Sequence, residues 1–93
     1  MSVDETLKER GDIYGDYNTG VIVRTRIVEA MAHGYEQAHG VGMPHELRSM
    51  FYDISNKLCR LAVAPDHIDS WVDLQGYAKL AEEHFRGEQN ADK

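Results

Sequence analysis

The segment 44–63 has the most regular hydrophobic pattern in the sequence. Its apolar residues recur every three or four positions, the spacing that places side chains on one face of an α-helix. They are Leu47, Met50, Phe51, Ile54, Leu58, Leu61 and Ala62. Pro44 suits the first turn of such a helix, and Pro65 ends it because proline lacks the amide hydrogen that a helix interior requires. This pattern predicts a helix over 44–63 with one buried face.

Two other segments predict helices on the same grounds. The first, 21–39, has apolar residues at the same spacing and stops at Gly40. The second begins near Asp66 or Asp69, either of which can act as its N-cap, and runs to about Arg86. No alternating stretch of β-branched residues predicts a strand.

The expected fold class is therefore all-α, an antiparallel helical bundle of three long helices. A short N-terminal helix, Val3–Arg10, precedes them, because Ser2 and Glu5 have the spacing of a capping box. The glycine-rich segment Gly11–Gly20 is predicted to be a loop, and residues 88–93 a frayed tail. The predicted core consists of Val23, Ile27, Met31, Leu47, Phe51, Ile54, Leu58, Leu61, Leu74, Ala78 and Phe85.

A chain of 93 residues is too short for two hydrophobic cores, so residues 1–93 are expected to form a single domain. So small a domain is marginally stable alone and gains from association. Gly76 interrupts the last predicted helix at a cost of about 1 kcal/mol relative to alanine. Leu80 extends the apolar surface of that helix beyond one stripe. Both features favour contact with another helix, so we expect a homo-oligomer that completes the bundle.

The composition argues against several classes of function. The formal net charge of −6 argues against general nucleic-acid binding, which needs a basic surface. The single cysteine, Cys59, cannot form an internal disulfide, which favours a reducing, cytoplasmic location. The polar N-terminus lacks the hydrophobic segment of a secretory signal, and no apolar run is long enough to span a membrane. We therefore expect no membrane partner.

Polar residues collect beside the apolar stripes of the last two predicted helices. They are Glu46, Asp53, Lys57 and Arg60 in one helix, and Asp69, Asp73, Tyr77 and His84, with Leu80 among them, in the other. Asp69 and Asp73 lie one turn apart and repel each other, so a cation is expected beside them. That cation is a basic side chain or a divalent metal ion such as Mg²⁺, unless the face is an ordinary solvated surface with weak ion pairs. Antiparallel packing should place Arg60 near Asp69. It should place Lys57, one turn earlier, nearer Asp73.

Three blocks of the sequence resemble a known group of proteins. They are YGDYN (14–18), DISNKLCRLAVAP (53–65) and HIDSWVDLQGYAKLAEE (67–83). Together they are similar to small phage and prophage proteins that resemble the MazG-like all-α nucleoside triphosphate pyrophosphohydrolases. The resemblance covers most of the chain from Tyr14 to Glu83. It implies a helical domain, assembled as a dimer or tetramer, that binds nucleotides with Mg²⁺.

The resemblance also implies roles for individual residues. In the MazG-like enzymes, acidic residues on two helices hold Mg²⁺, which binds the triphosphate and helps a water molecule attack phosphorus. Asp73 matches the closing aspartate of the second acidic motif. The implied metal ligands are Asp53, Asp69 and Asp73, and the implied nucleotide-binding residues are Lys57, Arg60, Tyr14 and Tyr77.

The predicted helix 44–63 departs from the family pattern. Only Glu46 and Asp53 are acidic there, and Lys57 and Arg60 stand where further acids are expected. Three functions therefore stay open. The chain is a nucleotide pyrophosphohydrolase of the phage or host cytoplasm, a non-catalytic protein that sequesters a nucleotide, or a small acidic phage protein that binds and modulates a host protein.

Overall fold

The computed structural model describes Val3 and residues 16–91 of the chain. Residues 16–91 contain three helices, α1 (Tyr17–His39), α2 (His45–Val63) and α3 (Ile68–Ala91), and no strand. The prediction of an all-α fold with three long helices is confirmed. Apart from Val3, the predicted short helix Val3–Arg10 lies outside the described residues.

Helix α1 begins earlier than the hydrophobic pattern indicates. The Asp16 side chain accepts a hydrogen bond from the Thr19 amide at 2.9 Å, while Asp16 itself has an extended backbone. This N-cap starts the helix at Tyr17, so the end of the predicted loop Gly11–Gly20 is helical and that part of the prediction is wrong. At the other end Gly40 adopts φ 72°, a left-handed conformation that glycine accepts readily, and terminates the helix as predicted.

Helix α3 differs from the prediction at both ends. It begins at Ile68, so the N-cap position falls on His67, and the prediction of Asp66 or Asp69 as the cap is wrong. The helix then continues through Gly87 to Ala91, although the sequence predicts an end near Arg86. A single glycine costs a helix only about 1 kcal/mol, which is too little to stop it.

Hydrogen bonds close the connection between α2 and α3. His67 Nδ1 lies 2.8 Å from Ser70 Oγ, and the Ser70 amide donates to the His67 carbonyl at 3.1 Å. Trp71 reaches back along the chain, and its indole N–H donates to the carbonyl of Pro65 at 2.8 Å. The turn and the first turn of α3 are therefore fixed to each other by side chains of α3 itself.

Two ion pairs define how α2 and α3 are aligned. Lys57 contacts Asp73, and Glu46 contacts His84. Glu46 lies 11 residues before Lys57 in α2. Its partner His84 lies 11 residues after Asp73 in α3, so the two helices run in opposite directions. Each of these separations is about 16 Å along a helix axis. The two helices are therefore antiparallel and in register over most of the length of α2.

Helices α1 and α3 lie on different sides of α2. Residues Glu46 and Lys57 of α2 face α3. Two positions after each of them comes a residue that faces α1. Arg48 forms an ion pair with Glu29 of α1 at 2.7 Å. Cys59 lies near Arg24 of α1, whose positive charge lowers the pKa of the thiol against the larger effect of burial. Two residues correspond to about 200° around a helix. The middle helix therefore provides most of the packing for both neighbours.

This arrangement changes which residues form the core. Among the residues that the structure describes, the buried side chains are Val28, Ala32, Met43 and Leu61, together with the polar residues Ser55, Lys57 and Ser70. Of the predicted core only Leu61 is buried. Val23, Leu58 and Phe85 are 39, 40 and 40% exposed in the single chain, Ala78 is also exposed, and the prediction is wrong for these four residues. The remaining predicted core residues are half-buried.

The physical reason is the position of the outer helices. They contact the two edges of the hydrophobic stripe of α2 rather than its centre. Residues at those edges, such as Ser55 and Lys57, become buried, while Leu58 at the centre stays partly open. We call this open apolar surface the apolar face; its α2 members are Leu47, Phe51, Ile54 and Leu58.

Candidate functional site

The ion pair between Lys57 and Asp73 lies at the interface of α2 and α3. The Lys57 ammonium is 2.8 Å from Asp73 Oδ2. The lysine side chain is 8% exposed, so its methylene groups are buried between the helices, whereas the aspartate side chain is 51% exposed. The pair therefore joins a buried cation to a carboxylate that solvent can reach.

The surroundings of Asp73 favour its ionised form. The hydrogen bond donated by Lys57 and then the charge of Lys57 hold the pKa of this carboxyl below its usual range. Partial desolvation of the carboxyl opposes this shift, while the nearby side chains of Arg60 and His67 add smaller effects in the same direction as Lys57. Asp73 is therefore a carboxylate at neutral pH, in contact with Lys57 and within the electrostatic influence of Arg60, both on α2.

The structure brings some of the predicted site residues together. Lys57 lies beside Asp73, as the antiparallel register predicts, and half-buried Arg60 is near enough to influence the same carboxylate. Asp69 is exposed in the first turn of α3, and Asp53 is exposed on α2. The expected contact between Arg60 and Asp69 stays a prediction. Among the predicted base-covering residues, Tyr77 is half-buried on α3 and Tyr14 lies outside the described residues.

The three predicted metal-binding aspartates do not converge in the single chain. Within the part of the chain that the structure describes, the group that brings three ligand atoms within 4.8 Å of one another is Glu46, His84 and Glu88. Mg²⁺ does not need a complete protein cage, because it is usually held by one or two carboxylates, by substrate phosphates and by water. Asp69 and Asp73, one helical turn apart on α3, supply that number of carboxylates.

Sequence reasoning placed Glu46 and His84 in the two polar stripes without assigning them a role. It missed Glu88, because this residue falls in the segment predicted to be a frayed tail. The spacing of four between His84 and Glu88, which puts both on one helix face, is the signal that could have revealed it.

A shallow surface concavity runs along α3 away from the Lys57–Asp73 pair. It is lined by Gln75, Ala78, Lys79, Glu82, Glu83 and Arg86. All of these belong to one helix, and Arg86 pairs with Glu82 within the concavity. None of them is a predicted site residue, and a groove along a single helix cannot enclose a small molecule.

Comparisons with known proteins give no match, either to a protein-family model, to a curated protein or to a solved structure. Within residues 16–91, no helix combines the length and the apolar character needed to cross a membrane.

Proposed function

We propose that the protein binds a nucleotide through its phosphate groups at the edge of the α2–α3 interface. The observation that carries this proposal is the exposed, ionised carboxylate of Asp73, which contacts Lys57 and lies within the electrostatic influence of Arg60. A surface with a fixed carboxylate and adjacent cations can accept a phosphate chain directly and through a divalent cation. The resemblance to MazG-like proteins points to the same residues.

Each residue at the edge of the α2–α3 interface has a role in this proposal. Asp69 and Asp73 would hold Mg²⁺, which neutralises phosphate charge when it is bound. Arg60 would donate paired hydrogen bonds to phosphate oxygens, for which its planar guanidinium is well shaped. Lys57 keeps Asp73 ionised and correctly oriented. Tyr77, and Tyr14 from the N-terminal segment, would cover the base.

Binding without hydrolysis fits the residues of α2 better than catalysis does. Metal-assisted attack of water on a triphosphate uses several carboxylates to hold the ions that stabilise the transition state. In α2 the acids are Glu46 and Asp53, and Glu46 contacts His84 at the far end of the helix. Lys57 and Arg60 occupy the positions where further acids would be needed. We therefore favour a nucleotide-sequestering role over a pyrophosphohydrolase.

A second copy of the chain would complete the domain. Besides the apolar face of α2, the two flanking helices expose large apolar side chains, Val23 on α1 and Trp71 and Phe85 on α3. An apolar surface of this kind favours association with a partner that covers it, and a two-fold dimer is the simplest assembly that does so.

Light scattering at micromolar concentration should then give at least twice the mass of the chain. Leu58→Lys, at the centre of the face, should lower that mass while Val72→Lys, also exposed but on a different face of α3, should not.

Calorimetry with a nucleoside triphosphate tests the binding site. The wild type should bind more tightly with Mg²⁺ than without it. Asp73→Asn should abolish the gain from Mg²⁺ and leave the helical circular dichroism spectrum unchanged. Asp66→Asn is a matched control, because Asp66 is exposed in the connection before α3. Absence of nucleotide binding by the wild type, with or without Mg²⁺, would refute this proposal.

The exposed apolar face also supports a second candidate function, binding and modulation of a host protein. The specific observation is that Leu58, Trp71 and Phe85 are exposed in a chain with a formal net charge of −6. A chain that is monomeric in solution and binds no nucleotide would favour this candidate over the first.

A further inference from the structure

Two carboxylates lie close to one imidazole nitrogen where the start of α2 meets the end of α3. His84 Nε2 lies 3.2 Å from Glu88 Oε1 and 3.7 Å from Glu46 Oε2. The ligand atoms of all three residues are within 4.8 Å of one another. The cluster is 11 residues along each helix from the Lys57–Asp73 pair, about 16 Å away, so it is separate from the proposed nucleotide site.

The fold positions each member of this cluster for a different reason. His84 and Glu88 are one turn apart on α3 and therefore share a face. Glu46 lies in the first turn of α2 and is brought opposite His84 by the antiparallel register that also pairs Lys57 with Asp73. The imidazole is 36% exposed, whereas the carboxylates of Glu46 and Glu88 are 74 and 56% exposed. A partly enclosed nitrogen thus lies between two oxygen donors that are free to adjust.

We propose that Glu46, His84 and Glu88 form a binding site for a divalent transition-metal ion of the Zn²⁺ type. Zn²⁺ binds imidazole nitrogen and carboxylate oxygen at about 2.0–2.2 Å in tetrahedral geometry, which puts neighbouring ligand atoms about 3.3 Å apart. Two of the three separations here, 3.2 and 3.7 Å, are already close to that value. The third separation, between the carboxylate oxygens of Glu46 and Glu88, is within 4.8 Å and shortens when these exposed side chains rotate toward the ion.

The chemistry of the donors selects the class of metal. Imidazole favours Zn²⁺ and related transition metals over Mg²⁺ and Ca²⁺, which prefer oxygen ligands alone. A neutral imidazole and two carboxylates give the ligand set two negative charges, which balance a divalent ion. Three protein ligands also leave a coordination position for water or for an anionic ligand, as in zinc sites that exchange their fourth ligand.

Without a metal, the same geometry is an ordinary group of polar contacts between His84 and two glutamates. Such exposed contacts contribute little to stability. The two interpretations differ in what Zn²⁺ does. A metal site binds one ion per chain and requires all three side chains, whereas a group of polar contacts has no such requirement.

Titration of the chain with ZnCl₂, followed by calorimetry and by thermal unfolding, tests the site. The wild type should bind one Zn²⁺ per chain and unfold at a higher temperature with it, and Mg²⁺ in excess should not compete. His84→Ala, Glu46→Gln and Glu88→Gln should each weaken binding by more than about tenfold, since even the loss of an outer partner costs a metal site about 10–100-fold. His33→Ala and Glu83→Gln, which change exposed residues of the same types, should leave affinity unchanged.

Co²⁺ in place of Zn²⁺ gives a second readout through its visible absorption, which reports tetrahedral coordination. This spectrum should be lost in the Glu88→Gln variant and kept in Cys59→Ser, because the thiol is not a ligand in the proposed site. No Zn²⁺ binding by the wild type would overturn the proposal. So would binding that survives all three ligand substitutions, or binding that disappears in Cys59→Ser or His33→Ala.

Discussion

Lys57 and Asp73 form an ion pair whose two ends lie in different environments. The lysine side chain is nearly enclosed between α2 and α3, and the aspartate side chain is about half exposed to solvent. The buried end fixes where the carboxylate sits, while the exposed end leaves it accessible to a ligand. The pair therefore contributes both to helix packing and to the proposed binding edge, and these two contributions can be separated by mutation.

The acid dependence of stability should reveal the pair. Because the folded-state pKa of Asp73 is lowered, its contribution to stability is present above the unfolded pKa of about 3.9 and is lost as pH falls through the folded pKa. The difference in unfolding free energy between wild type and Asp73→Asn should be constant near neutral pH and should shrink below about pH 4. Urea denaturation across this range measures it. The exposed Asp53→Asn is the control, and an equal acid dependence in both variants would contradict the prediction.

Two substitutions at Lys57 should have different effects. Lys57→Ala removes a buried aliphatic stem and should cost about 2 kcal/mol or more, like other truncations of long buried side chains. Lys57→Met keeps the stem and removes only the charge. Since the Asp73 carboxylate can remain hydrated, this change should cost less than about 1 kcal/mol. Equal losses in urea denaturation would mean that the charge, and not the packing, is the dominant contribution.

Ser55 is fully buried, and its hydroxyl has no hydrogen-bond partner among the described residues. An unsatisfied buried polar group is costly, so Ser55→Ala should stabilise the protein. Ser49→Ala, at an exposed position of the same helix, gives the gain from helix propensity alone. The unfolding free energy should rise by about 1 kcal/mol more for Ser55→Ala than for Ser49→Ala. A smaller gain at Ser55 would indicate that its hydroxyl is satisfied in solution.

Glycines 76 and 34 offer a matched pair on the outer helices. A Cβ atom built on either residue meets no other atom within 4 Å, so both Gly76→Ala and Gly34→Ala should stabilise the isolated chain by up to about 1 kcal/mol. If a second copy packs closely over Gly76, the larger change Gly76→Leu should weaken self-association while Gly34→Leu should not. Analytical ultracentrifugation over a dilution series distinguishes these cases. Equal association constants for the two leucine variants would remove Gly76 from the interface.

The single tryptophan of the chain can report on assembly directly. Trp71 is 43% exposed beside the apolar face, and its indole is anchored to the Pro65 carbonyl. When a second copy covers this face, the fluorescence emission should shift to shorter wavelength as concentration rises. Leu58→Lys should abolish the shift without unfolding the helices. An emission maximum that is independent of concentration in the wild type, at concentrations where light scattering gives a dimer, would place the interface elsewhere.

The sequence predicts the helices well because hydrophobic periodicity is a property of each segment alone. It also predicts the contact between Lys57 and Asp73, since a short connection makes antiparallel register nearly unavoidable. It fails at the start of α1, where the Asp16 cap lies inside a segment that its glycines suggest is a loop. Hydrophobic periodicity therefore predicts the individual helices. A short connection between two helices also allows contacts between them to be predicted.

The predicted core fails for a different reason. Periodicity identifies the apolar face of a helix but not the position of its neighbours on that face, so Leu58 was expected inside and Ser55 was not. The Glu46–His84–Glu88 group escapes prediction in the same way, because it depends on where α3 ends and on which side of α2 it packs. Both outcomes are decided by tertiary packing.

The central position of α2 also has a consequence for synthesis and folding of the chain. The hairpin of α1 and α2 is complete once Val63 has left the ribosome, while α3 is still inside the exit tunnel and cannot shield the other side of α2. Lys57 therefore stays hydrated and unpaired until Asp73 follows, and burial of its stem marks the last docking step. Since nearly all packing is between helices consecutive in the chain, loop closure is inexpensive, and we expect folding in microseconds to milliseconds once translation ends.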